Sequence, residues 1–428
     1  MNGMRLPTFR SVVTVATALL AIVAAAGGQS TLAIRGDVVH TMAGEPIRDG
    51  IVLIEGGKIA LVGPAASTTV PVGVKTLAAK VVTPGLIDAR TIIGLQGYQH
   101  EARENDVLER SAPMQPELRA FDAFNGRERL LEWVRGFGIT TIHTGFAPGA
   151  LVTGQSMVIK TRGPTVDDGL LKSEAMLLVT FGEGGLNRGE GGRAPGTRAK
   201  QLAMLRQELI KAREAVEKQQ RPASAPARQD DEDEDGRNKS DARDLRQETL
   251  IRALKKELPL LIYAQRAQDI LAAIKLKQEY DVNVVLDGGA EAYLLIDQIK
   301  AAQIPVIVHA TMKRASGETE NLSFETAGKL KAAGIQIAMQ SGYEEYVPKT
   351  RVVLLETAQA VANGLKPADA LAALTIDAAR ILGVSDRVGS IEPGKDADLA
   401  LFDGDPFEYV TRCTGTIIDG QLVHDRPR

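Results

Sequence analysis

Eight short apolar runs separated by stretches of helical periodicity constrain this chain most. They fall at residues 81–89, 138–145, 154–160, 175–181, 258–265, 283–289, 305–311 and 335–342. Apolar strands alternating with amphipathic helices mark a parallel α/β fold. Eight such units predict a (β/α)8 barrel, whose chemistry lies at the C-terminal strand ends. Residues 370–382 carry an apolar stripe at helical spacing and read as core packing.

The two chain ends have a different texture. Residues 32–40 and 50–63 are short β-runs, and Gly56-Gly57 between apolar runs signals a hairpin. Residues 397–402 and 415–424 look alike, with a Gly-Asp-Pro turn between them. Neither end alone supplies enough strands for a stable sheet. Together, 29–80 and 386–428 predict one small β-sandwich flanking a barrel over 81–385.

Residues 1–28 read as a secretory signal peptide. Arg5 and Arg10 form a basic start, an almost uncharged apolar run follows, and Ala24-Ala25-Ala26 supplies small residues for cleavage. An uncleaved anchor is the alternative, with a run at the short end for a span. The expectation is a secreted protein of a bacterial periplasm, with no membrane association after cleavage. The single cysteine, Cys413, allows no intrachain disulfide. From about 217 to 244 the chain turns polar, with six consecutive acids from Asp230 to Asp235; such a run repels itself and predicts a disordered loop. A net charge of −3 gives no reason to expect nucleic acid as a partner.

The stretch Val82-Thr-Pro-Gly-Leu-Ile-Asp-Ala-Arg90-Thr-Ile92 and the tail Gly389-Ser-Ile-Glu-Pro-Gly-Lys-Asp-Ala-Asp-Leu399 resemble the amidohydrolase superfamily. The likeness is to its imidazolonepropionase-like and Xaa-Pro dipeptidase-like branch, and it spans essentially the whole mature chain. The resemblance implies a metal-dependent hydrolase of carbon–nitrogen bonds, typically with zinc. It also implies where the metal ligands would stand, and this chain departs at each such position. Arg90 and Ile92 occupy the His-x-His of the first barrel strand. In strand five, Tyr263 and Gln265 take the places of two histidines. Gly288 stands in the strand-six histidine position, and Gly342 in that of the strand-eight aspartate.

A zinc site needs three or four donors at roughly 2 Å. Ile92, Gly288 and Gly342 offer none, and Arg90 is a permanent cation. At an effective dielectric of 20, a unit charge 4 Å from a divalent ion costs about 8 kcal/mol. The reading is therefore a pseudoenzyme with no cofactor, acting as a non-catalytic subunit of an intact amidohydrolase homologue or as a homo-oligomer. Two alternatives stay open. His143, Asp287 and His309 could form a rebuilt metal site, with zinc as cofactor and hydrolysis retained. Alternatively Arg90, Tyr263, Arg266, Asp287 and His309 could bind a small carboxylate or peptide, the arginines gripping its carboxylate. A metal-free acyl-transfer set of Ser341, Tyr263, Glu291 and His309 has no spacing that enforces contact.

Overall fold

The computed structural model describes residues 31–99, 101–187, 194–219, 243–343 and 352–426. The expected signal segment lies outside the described residues, as does all but the two margins of the acidic segment. The strands, in chain order, are β1 (Leu32–Val39), β2 (Ile47–Glu55), β3 (Lys58–Pro64), β4 (Lys75–Pro84), β5 (Leu86–Thr91), β6 (Ile139–Thr144), β7 (Val152–Gln155), β8 (Met157–Lys160) and β9 (Leu170–Lys172). They continue with β10 (Leu177–Thr180), β11 (Leu260–Ala264), β12 (Val284–Gly288), β13 (Val306–Val308), β14 (Ile337–Met339), β15 (Leu399–Phe402), β16 (Cys413–Ile418) and β17 (Gln421–His424). The fold is mixed α/β.

Strands from both chain ends share one seven-stranded sheet, ordered β17-β16-β15-β4-β1-β2-β3. The join is the antiparallel pair of β15 with β4, in which Phe402 faces Val81 and Leu399 faces Pro84. The hairpin between β2 and β3 turns on Gly56 and Gly57, with φ of +59° and +79°. Two successive residues at positive φ suit the right-handed strand twist and favour glycine at both positions. Ile34, Val52, Ile54, Ile59, Leu399 and Ile417 form a small separate core for this sheet.

The remaining strands form two further sheets. One is ordered β14-β13-β12-β11-β10-β7, parallel from β10 to β14, with β7 antiparallel at its edge. The other is ordered β5-β6-β8-β9, with β5 and β6 parallel and the rest antiparallel. Each of the eight apolar runs contains strand, but the run 154–160 does not form a single parallel barrel strand. It divides at Ser156 between two sheets: β7 pairs with β10 and β8 pairs with β6. Ser156 is held at the break, its Oγ bonded to His143 Nε2 at 2.6 Å. The two sheets meet where β5 lies beside the end of β14. Ser341 N–H donates to Asp88 Oδ1 (3.0 Å) and Gly342 N–H donates to the Arg90 carbonyl (3.2 Å).

The stripe of 370–382 is buried as expected, but in two helices, Pro367–Ala373 and Ile376–Leu382. Thr375 separates them at φ −135° and ψ −100°, which no helix tolerates. The terminal sheet is tied to the rest by a buried ionic cluster. Lys160 Nζ lies 2.7 Å from Asp396, 2.9 Å from Asp398 and 2.5 Å from Asp419. Arg162, Arg387 and Lys58 close the cluster from outside, on Asp419, Asp396 and Asp396 respectively.

Candidate functional site

The parallel strands β5, β6 and β11 to β14 deliver their C-terminal ends to one mouth. Its central group is Arg90, which is only 1% exposed although it carries a permanent charge. Nη1 donates to the carbonyls of Thr91 (2.8 Å) and Gly145 (3.0 Å), and Nη2 donates to that of Phe146. Nε lies 3.6 Å from Asp287 Oδ2, an ion pair without a hydrogen bond. The guanidinium also stands 5.2 Å from the centre of the Tyr343 ring. A buried cation must be paired and bonded in this way to be tolerated.

Asp287, the penultimate residue of β12, is the matching anion. Gln340 Nε2 donates to Oδ1 (2.8 Å), and the Tyr343 hydroxyl approaches Oδ2 at 3.4 Å. Burial pushes the Asp287 carboxyl above the usual range, and Arg90 pulls against it. Burial and the neighbouring Asp287 charge raise the Tyr343 phenol well above its ordinary value. Tyr343 packs edge-on against Tyr263, with ring centres 5.7 Å apart. Lys313 Nζ stands over both rings, 5.9 Å from Tyr263 and 5.4 Å from Tyr343.

One strand away, Asp88 is buried and stitches β5 to β14, accepting from Ser341 at N and Oγ and from Arg90 N–H. Burial raises its carboxyl to about 7 against those hydrogen bonds. Ser341 is thus engaged by a carboxylate and not by a histidine.

The two histidines of the inner sheets differ. His143, at the end of β6, has both ring nitrogens occupied: Nδ1 by the Ala89 carbonyl (2.7 Å) and Nε2 by the Ser156 hydroxyl (2.6 Å). Burial, then the charge of Arg90, lowers its pKa to about 3, so the ring is neutral. It therefore has no nitrogen to offer a metal, which corrects its place in the rebuilt set. His309, just beyond β13, bonds through Nδ1 to the Ala310 carbonyl (2.9 Å), while Nε2 is buried with no hydrogen-bond partner. Burial lowers its pKa to about 4, with the carbonyls of Ala310 and Ser323 pulling the other way.

The other expected positions resolve simply. Ile92 is core. Gly288 has φ +94°, and a Cβ there would sit 2.3 Å from Gln265 Nε2, so Gln265 fills the space a side chain at 288 would need. Gly342 has φ +80°, and a Cβ there would make ordinary contact with Ala310 at 3.7 Å. Arg266 is engaged by other partners than Arg90; its Nη2 donates to Glu320 (2.7 Å) and to the Gly317 carbonyl (3.1 Å). The expected two-arginine carboxylate clamp is not assembled, because each guanidinium is committed to different partners. Glu291 is spent on the Ala267 N–H and on Asn321, and so cannot serve as a base for Ser341. Cys413 is buried in β16. Sequence reasoning passed over Lys313, Gln340 and Tyr343 as partners in the mouth. Only the proximity of 340 and 343 to the degenerate position 342 could have pointed to two of them.

Comparison with known proteins agrees with this architecture. The amidohydrolase family model matches residues 324–423. Imidazolonepropionase of Thermoplasma volcanium is 39% identical over 72 residues, 15% of this chain and 18% of that protein. A 5-methylthioadenosine/S-adenosylhomocysteine deaminase of Symbiobacterium thermophilum is likewise 39% identical over 72 residues, 13% of this chain and 16% of that protein. The matched stretch thus spans less than a fifth of these curated relatives. Among solved structures, an amidohydrolase from Thermotoga maritima is similar over 92% of this chain and 100% of its own, with a TM-score of 0.83 and 29% identity. A putative prolidase from Bifidobacterium longum shares the fold at a TM-score of 0.55 and 19% identity, over 92% of this chain and 94% of its own. Fold and mouth define an α/β protein with the frame of a hydrolase. The partial family-model match and the full-length structural likeness support the amidohydrolase superfamily.

The metal that this superfamily implies does not fit the residues present. Among the described residues no group of three or more His, Cys, Asp or Glu side chains could hold an ion. His143 is already bonded at both nitrogens, and the Arg90 charge stands beside Asp287.

Proposed function

We propose that this is a secreted amidohydrolase-superfamily protein without metal-dependent catalysis, which acts by binding, as the non-catalytic subunit or partner of an intact relative or through a small ligand. We read its two inner sheets as parts of an eight-stranded barrel, and its terminal sheet as a small β-sandwich. One observation carries the functional reading. At the mouth, where relatives would be expected to hold a divalent ion, the buried Arg90 guanidinium is fixed by three carbonyls and paired with Asp287. A cation in that place satisfies Asp287 and repels any metal by several kcal/mol.

Metal content after growth with zinc, manganese and iron tests this reading. The expected result is less than roughly a tenth of an equivalent per chain, since three or four donors are needed for a tight site. About one tightly held equivalent, lost on His309→Ala, would overturn it in favour of a rebuilt hydrolase.

A further inference from the structure

We propose that a cavity beside the mouth binds a short aliphatic carboxylate, held by the Arg110 guanidinium and the backbone N–H groups of Gly149 and Ala150. The proposal rests on the non-catalytic binding reading above and names a ligand and a place for it.

The cavity has a volume of about 240 Å3 and lies between residues 110–113 and the loops that follow β6 and β10. Its walls are anchored on strands. Val152 in β7 donates to the Pro113 carbonyl (3.1 Å) and accepts from Gln115 N–H (2.9 Å), while the Leu151 carbonyl accepts from Thr180 N–H in β10 (2.9 Å). On the third side Asn187 N–H donates to the Pro195 carbonyl (2.7 Å); residues 188–193, between those two, lie outside the described residues. The loop after β6 also ties the cavity to the mouth, because the Arg90 guanidinium holds the carbonyls of Gly145 and Phe146 at its start.

Three donors in these walls are uncommitted. Arg110 is exposed, and among the described residues its side chain has neither an ion pair nor a hydrogen bond. The N–H groups of Gly149 and Ala150 likewise donate to no acceptor among the described residues, although Ala150 is only 8% exposed. A backbone donor so sheltered from water calls for a partner. At residue 149 a Cβ would fall 2.2 Å from Leu108 Cδ2, so glycine is required and the wall there is bare backbone.

Charge and shape then select the ligand. Among the described residues that line the cavity, Arg110 carries the only ionised side chain. One cation beside two amides favours a single negative charge, and the planar guanidinium fork matches a carboxylate. The remaining wall is aliphatic, with Pro113, Leu151, Leu186 and Pro195. At about 30 Å3 for a water-sized group, the volume takes roughly eight heavy atoms, the size of hexanoate.

Isothermal titration of the full chain with hexanoate tests the proposal, with 1-hexanol and hexylamine as comparators that remove or invert the charge. Hexanoate is expected to bind once per chain, at least tenfold tighter than either comparator, and to shift the amide resonances of Gly149 and Ala150. Arg110→Met should weaken it at least tenfold, and Arg110→Lys, which keeps the charge without the fork, should fall between. Far-ultraviolet circular dichroism confirms that each variant is folded. No saturable hexanoate binding, equal affinity for 1-hexanol, tighter binding of inorganic phosphate, or unchanged affinity in folded Arg110→Met would each overturn the proposal. So would amide shifts confined to the mouth around Tyr343. A metal-free chain that ignores hexanoate loses this ligand and keeps the non-catalytic reading, whereas a chain that holds metal loses the reading itself.

Discussion

Lys160 Nζ and Asp398 Oδ2 lie 2.9 Å apart with both side chains almost wholly buried, joining β8 to the segment that leads into β15. Burial alone would lower the Lys160 pKa, and the carboxylates of Asp398, Asp419 and Asp396 outweigh it, so the net shift is upward. The lysine contribution is then complete below the ordinary lysine range and is lost as pH rises through the raised value.

Lys160→Met should therefore be among the most damaging single changes. It strands buried carboxylates with fewer cations, a loss of about 3–5 kcal/mol where one partner of a buried pair is removed. Urea denaturation at pH 7 measures it, and a loss below roughly 1 kcal/mol would show that the outer cations compensate. Raising the pH into the lysine range should destabilise the parent chain and leave the variant less affected.

Arg90→Met should cost a similar amount, about 3–5 kcal/mol, because Asp287 would remain buried without its cation. Arg90→Lys should rescue little. A lysine ammonium cannot reproduce the planar fork that reaches the carbonyls of Thr91, Gly145 and Phe146. If the two variants differ widely in denaturation midpoint, charge alone and not the fork is what the mouth requires.

Asp88 gives a pH signature of defined sign. Its pKa is raised to about 7 in the folded chain from an ordinary 3.8. The folded chain therefore binds a proton between those values that the unfolded chain does not, and stability falls as pH rises from about 4 to 7. Asp88→Asn should remove that slope. The difference in unfolding free energy between parent and variant should change by up to about 4 kcal/mol across the window. A difference that does not vary with pH would mean that Asp88 is ionised throughout.

Gly288→Ala should destabilise the chain by roughly 1–3 kcal/mol, from positive φ and from the contact with Gln265. Adding Gln265→Ala should recover the contact part and leave the backbone part. A double-mutant cycle separates them, and strictly additive effects would mean that Gln265 moves aside freely.

Much of the frame was legible because it rests on local pattern. The eight apolar runs contain strands, and Gly56-Gly57 turns the hairpin. What local pattern could not convey was direction. Residues 154–160 read as one strand, yet Ser156 hands half of it to each of two sheets through contacts with His143 and Met176. Arg90 was visible as an oddity, but only the fold shows that it turns inward to backbone carbonyls and cannot share a ligand with Arg266. The Lys160 cluster escaped sequence reasoning because its lysine and its aspartates are more than 200 residues apart. In the sequence Asp396 and Asp398 stand out only as parts of the tail motif.

The pairing of β4 with β15 also sets an order of events. β4 is an interior strand with β1 on one side, and its other side is filled by β15, which is made long after it. Until then a row of backbone donors and acceptors from Val81 to Pro84 stands open. A ribosome that stalls before β15 is made, or a protease that removes β15, would leave an exposed edge able to recruit a strand from another molecule.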